Sequence, residues 1–226
     1  MTDATTRPEL LRSLGKLTRG LSALFWGLPA WLVICADTAR ADGLGLGGIV
    51  PALAVNVLLL YGLMEIGSFQ ARERPWRQAL DRARFFGWVN LGYCPFPFWF
   101  SRLPEQPFFR DSMLVLTLSA LMFLFCLNGV LKQLGLMLPD ETLRQEMRQF
   151  TKLNRWLLIL WALAMGAVFG LPELASPHLH WGTQAMAWFW NLTTTLLLCL
   201  GLSPLAITMA LVWKTKEVVF HSILGA

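Results

Sequence analysis

Six long apolar runs, separated by short stretches that hold nearly all of the cations, restrict this sequence to an all-α bundle of membrane helices. The runs cover residues 20–36, 47–69, 85–100, 112–134, 156–174 and 184–213. A bilayer core of roughly 30 Å takes about 20 apolar residues in a helix, so five of the six are long enough to cross, the first only just. Of 226 residues, 15% are charged, and the mean hydropathy is +0.51; soluble domains average roughly a quarter charged. Too little chain is left over for a separate soluble domain, and the sequence reads as a single integral membrane domain, 1–226.

The third run, FFGWVNLGYCPFPFWF, is short and contains Pro95 and Pro97, which can break it into a re-entrant or interfacial piece. Charge placement favours a crossing. With six crossings, the N-terminal stretch, residues 70–84, residues 132–155 and the tail share one side. Of nineteen Lys and Arg, only Arg40, Arg102 and Arg110 then lie on the other. With five crossings one of the basic loops changes sides and the bias collapses. Cytoplasmic loops carry the excess of Lys and Arg, so both termini are assigned to the cytoplasm. The compact, loop-poor plan points to a bacterial inner membrane. Trp76, Trp88, Trp156 and Trp213 fall near the inner boundary, and Trp99, Trp181, Trp188 and Trp190 near the outer one, where amphipathic rings collect. The apolar run 21–35 followed by Ala39-Arg40-Ala41 imitates a secretory signal with its cleavage site; the segment is read as a first membrane helix.

The cytoplasmic stretches have helical patterning of their own, each opened by a proline and leading into an odd-numbered run. Thr6 and Glu9 fit a capping box, followed by Leu10, Leu14, Leu17 and Leu21 on one stripe. After Pro75 come Trp76, Ala79, Leu80 and Ala83; after Pro139, Leu143, Met147 and Phe150, flanked by a row of Arg144, Arg148 and Lys152. The expected plan is three hairpins, each an amphipathic helix, a span out and a span back. A triplicated unit is one reading of it, with boundaries 6–69, 70–137 and 138–226. Gly20 matches Gly87 and Gly62 matches Gly129 at a common offset, placing Glu65 and Lys132 at equivalent inner ends. Parallel repeats of this kind are a known membrane construction.

Ionisable residues inside membranes mark ion and proton pathways, and here they are nearly absent. Glu65 and Lys132 form a candidate inner-end charge pair, with interfacial anchoring as the simpler explanation. The uncharged polar set is richer: Asn56, Asn90, Asn128 and Asn191, then Thr193, Thr194 and Thr195. An amide in hydrocarbon must find a partner, so these residues either bond across helices or line a polar path. Ala162, Gly166 and Gly170 make a ridge of small residues suited to close helix packing.

For catalysis the inventory is poor. His178 and His180 lie in an outer loop without an acidic or cysteine partner close in sequence, and His221 lies in the tail. Gly201-Leu202-Ser203 resembles the glycine–serine turn of intramembrane serine proteases, but Pro204 replaces the following glycine and no intramembrane histidine is available as base. Three two-helix units are superficially similar to mitochondrial carriers, whose charged signature on odd helices is missing. Cys35, Cys94, Cys126 and Cys199 fall in apolar runs as packing residues. No catalytic residue, metal site or cofactor is assigned.

The expectation is therefore a non-catalytic inner-membrane protein, a subunit or scaffold of a larger assembly. The alternative is a facilitator for an uncharged solute lined by the intramembrane Asn and Thr residues; an intramembrane enzyme is third. Expected partners are anionic lipid head groups on the cytoplasmic side and other membrane subunits or further copies of the chain. The pI of about 9.3 is accounted for by juxtamembrane cations, and no nucleic acid is expected.

Overall fold

The computed structural model describes residues 3–38, 49–69, 73–103, 105–137, 141–174 and 183–224. Its side chains are described for residues 12–164 of these ranges, apart from 142 and 143, and for residues 200–220. Among the described residues every regular element is a helix: α1 (Asp3–Thr38), α2 (Ile49–Gly67), α3 (Arg74–Tyr93), α4 (Phe96–Arg102), α5 (Pro107–Met137), α6 (Glu141–Leu174) and α7 (Thr183–Leu224). Among the described residues three stretches, Arg12–Thr38, Ile49–Gly67 and Pro107–Met137, are long and apolar enough to cross a membrane. The 19 residues of α2 rise about 28 Å at roughly 1.5 Å each, close to the thickness of a hydrocarbon core.

The third run departs from a simple span. Its N-terminal part belongs to α3, which carries Arg74, Arg77, Asp81, Arg82 and Arg84 ahead of the apolar run, and that charge removes α3 from the set of spanning length and apolarity. The helix stops at Tyr93, and the Cys94 N–H bonds back to the Leu91 carbonyl. The cause is Pro97, which has no N–H for the Tyr93 carbonyl and whose ring crowds it. Cys94 and Pro95 nevertheless keep right-handed helical dihedrals, −52°, −35° and −72°, −21°. The break is thus a proline kink, and α4 carries the chain onward until Leu103.

Within α1, α3 and α6 the amphipathic stretch runs without a break into the apolar run. Pro75 stands in the first turn of α3, where a missing N–H costs nothing. Thr6 does not stand at a helix start: α1 already begins at Asp3, so Thr6 and Pro8 lie within it. Pro8 sits close enough to the helix start to sacrifice a single bond, the one to the Ala4 carbonyl.

Core residues recur at heptad-like spacing: Leu17, Leu21, Leu24 and Leu28 on α1; Leu59, Leu63 and Ile66 on α2; Trp76, Leu80 and Ala83 on α3; Phe123, Leu127, Val130, Leu131 and Leu134 on α5. Such stripes suit shallow helix crossings. α1 packs most extensively on α2, α3 on α5 and α6 on α7, and α1 also meets α7. At the α1–α2 crossing a Cβ on Gly20 would stand 2.7 Å from the Gly62 carbonyl oxygen, and one on Gly62 would stand 3.0 Å from that of Gly20. Glycine is required at both positions because backbone meets backbone. Gly129, the position matched to Gly62 by the repeat, has nothing within 4 Å of such a Cβ; the two sites have unlike surroundings.

Trp76 is fully buried in the core, as a member of the inward stripe of α3. On α6 the buried stripe is Met147, Thr151, Asn154 and Leu158, while Phe150 is 41% exposed. Polar side chains turn toward the neighbouring helices there and the aromatic ring turns out.

Candidate functional site

The most connected polar feature is a node where α5, α6 and α7 meet. Thr208 Oγ1 accepts from Asn128 Nδ2 at 3.1 Å and from Asn154 Nδ2 at 2.9 Å, and its hydroxyl donates to the Pro204 carbonyl at 2.7 Å. All three side chains are completely buried. Asn128 also donates to the Leu124 carbonyl at 2.8 Å, while among the described residues the side-chain oxygens of Asn128 and Asn154 have no partner. One hydroxyl oxygen thus ties three helices. Neither amide titrates near neutral pH, and the Thr208 proton is committed to a carbonyl, so the node has neither a general base nor an activated nucleophile.

Ser203 is equally committed. Pro204 lies inside α7 and offers no N–H to the Leu200 carbonyl, four residues back. Ser203 Oγ donates to that carbonyl at 2.9 Å, so the serine repairs the ladder that its neighbour opens.

The remaining candidates are dispersed. Asn56 Nδ2 donates to Cys94 Sγ at 2.8 Å, and the Cys94 thiol reaches the Ala52 carbonyl at 3.5 Å; this ties α2 to the kink after α3. Asn90 is buried and lines a cavity of about 60 Å³ with apolar neighbours that include Leu28, Leu59, Phe123 and Leu205. That cavity reaches neither Asn56 nor Asn128. Asn191, Thr193, Thr194, Thr195, Gly166 and Gly170 lie where side chains are not described; so do His221 and Cys199. His178 and His180 lie outside the described residues altogether. Ala162 is partly buried.

Glu65 and Lys132 are not brought together. No ion pair joins them among the described residues, because α3 lies between α2 and α5, packing on both. Lys132 instead shares a groove of about 500 Å³ with Arg148, Thr151, Lys152, Arg155, Trp156 and Ile159 of α6.

Other contacts gather the cation-bearing segments at the same end of the bundle. Lys214 pairs with Glu146 across α7 and α6. Arg19 and Lys216 line one groove between α1 and α7. Arg84 Nη2 donates to the Leu63 carbonyl near the end of α2 at 3.1 Å, with Asp81 3.6 Å from Nη1. Burial pushes the Arg84 guanidinium below its ordinary pKa, and Asp81 opposes that shift. At the far end, Trp99 stacks on Phe109 at 6.4 Å, with Phe96 and Phe108 beside them.

Nothing in the sequence singles out Asn154 or Thr208. Asn154 falls in the stretch assigned to a basic loop, and Thr208 is a single hydroxyl in an apolar run. The one usable signal is the spacing of Thr208 four residues beyond Pro204. Among the described residues no group of three His, Cys, Asp or Glu is placed to hold a metal. No family model matches this chain, and neither a curated protein nor a solved structure matches it.

Proposed function

We propose that this chain is a non-catalytic integral protein of a bacterial inner membrane, acting as a subunit or scaffold of a larger assembly. It crosses six times as three hairpins, α1–α2, α3/α4–α5 and α6–α7, with both termini in the cytoplasm. The observation that carries the scaffold reading is the use made of the buried amides. Asn56 is spent joining α2 to the α3–α4 kink, and Asn128 joins α5 to α7. Asn90 faces a small apolar cavity apart from both. A facilitator requires several such groups along one connected path. These side chains are instead distributed as interhelical ties, the role that isolated polar groups serve in membrane bundles.

The crossing number is supported by the kink geometry, which lets residues 85–102 continue as one bent rod. The orientation is supported by the gathering of Arg19, Arg84, Lys132, Arg148, Lys214 and Lys216 at one end, as the positive-inside rule requires. Large exposed side chains, among them Trp26, Val33, Val57, Leu118 and Leu163, are far more apolar than a water-facing surface tolerates and suit contact with acyl chains.

Two experiments test this. Purification from membranes in mild detergent should return the chain with a stoichiometric membrane companion or as a defined homo-oligomer. A lone monomer that conducts an uncharged solute in liposomes overturns the scaffold reading. Single cysteines at positions 77 and 148, in a background lacking the four native ones, should react with an impermeant maleimide from the same side. Labelling from opposite sides overturns the six-crossing topology.

A further inference from the structure

We propose that the groove between α5 and α6 binds the head group of an anionic glycerophospholipid, its phosphate seated among Lys132, Arg148, Lys152 and Arg155. Arg148, Lys152 and Arg155 recur at i, i+4 and i+7 and share one face of α6, and Lys132 supplies the opposite wall from α5. Among the described residues none of these four cations forms an ion pair. Arg155 instead lies over the Phe125 ring, 5.0 Å from its centroid, which holds the guanidinium in place without neutralising it. Four uncompensated cations around about 500 Å³ call for an anion.

A second, independent feature marks the site. Thr151 lines the same groove and is 2% exposed, and among the described residues its hydroxyl has no partner. A buried hydroxyl without a bond is costly, and a phosphate oxygen would accept from it. The rim favours a lipid over free phosphate. Trp156 and Ile159 are exposed at the groove edge and continue along α6 into exposed Leu160 and Leu163, a surface on which acyl chains can lie. Basic pockets between membrane helices on the cytoplasmic side bind phosphate-bearing head groups in this way. The inference rests on the membrane reading, not on the scaffold role.

The test uses the purified full-length chain, delipidated in detergent and titrated with phosphatidylglycerol, phosphatidylcholine or inorganic phosphate, with binding read by native mass spectrometry and thermal shift. Phosphatidylglycerol should bind and stabilise in preference to phosphatidylcholine. Replacing Lys132, Arg148 and Lys152 together with Gln should weaken it by roughly fivefold per cation, on the order of a hundredfold in total. Replacing the exposed Arg12, Arg74 and Arg77 with Gln should change it by less than about threefold. Equal losses in the two triple variants, equal binding of phosphatidylcholine, or equal protection by inorganic phosphate each overturn the proposal. So does saturation of the groove by an acidic protein partner with no lipid effect. Both triple variants are first melted without lipid; should the groove variant be unfolded, the single change Lys152→Gln at an exposed position carries the same comparison. Loss of the lipid effect with positions 77 and 148 still labelled from one side sinks this site alone and leaves the topology standing.

Discussion

Replacing Thr208 with Val keeps its shape and removes the one oxygen on which α5, α6 and α7 converge. Asn154 then loses its bond to that oxygen, and Asn128 falls back on the Leu124 carbonyl, which it already reaches at 2.8 Å. Interhelical hydrogen bonds in membrane bundles contribute about 0.6 kcal/mol on average and up to roughly 1.7. Two such bonds are lost, one of them partly compensated, so the expected destabilisation is about 1–3 kcal/mol, with Asn154 contributing most. Thr208→Ser keeps the hydroxyl and should cost less. The assay is reversible unfolding in mixed micelles, with a double-mutant cycle between Thr208→Val and Asn154→Ala. The cycle should return a coupling near about 1 kcal/mol, since each single change removes the same bond. A Thr208→Val protein as stable as wild type, or zero coupling in the cycle, refutes the node as a tie between helices.

Gly20→Val should destabilise by about 1–3 kcal/mol, because the added carbon would meet the Gly62 carbonyl at 2.7 Å and the Ile66 nitrogen at 3.0 Å, neither of which can move aside; the same unfolding titration checks it. Gly129→Ala adds a methyl to open space and should be neutral or stabilising by up to about 1 kcal/mol through helix propensity, a contrast that an equivalent repeat position would not show. Glu146→Gln breaks the pair with Lys214, whose two side chains are 38% and 49% exposed; the loss should stay below about 1 kcal/mol and shrink in high salt, as melting at two ionic strengths would reveal. Ser203→Ala leaves the Leu200 carbonyl without its donor and should cost about 1 kcal/mol while leaving lipid binding unchanged, measured by melting and lipid titration together.

The apolar runs locate the helices well where they are long and uninterrupted. The run 47–69 becomes α2 and the run 112–134 lies within α5. The stripes on α1 and α3 are also legible, since Leu17, Leu21, Trp76 and Leu80 pack inward as their spacing implies. Periodicity says less on α6. Its spacing joins Phe150 to Met147 on one stripe, and the structure buries Met147, Thr151 and Asn154 while Phe150 is 41% exposed. The physical reason is that periodicity reports a face, not which way it points. In water the apolar face is the core; beside lipid an apolar face can point outward while a polar one seeks partners within the bundle.

Pro204 shows why the node cannot be assembled from the sequence even once its members are in view. A proline within a helix removes one bond and crowds the carbonyl four residues back, a defect tolerated in a buried helix only if something nearby satisfies the freed group. Ser203 does so at Leu200, and one turn later Thr208 sends its proton to the Pro204 carbonyl, which turns its lone pairs toward α5 and α6. The two amides that arrive there lie eighty and fifty-four residues away along the chain. Neither separation leaves a local trace, and Asn128 is visible only as one amide among four. What distinguishes it from Asn56 and Asn90 is the partner that the helix packing supplies. The chemistry of this bundle is therefore set by which helices meet, and its polar residues serve first to hold those meetings in register.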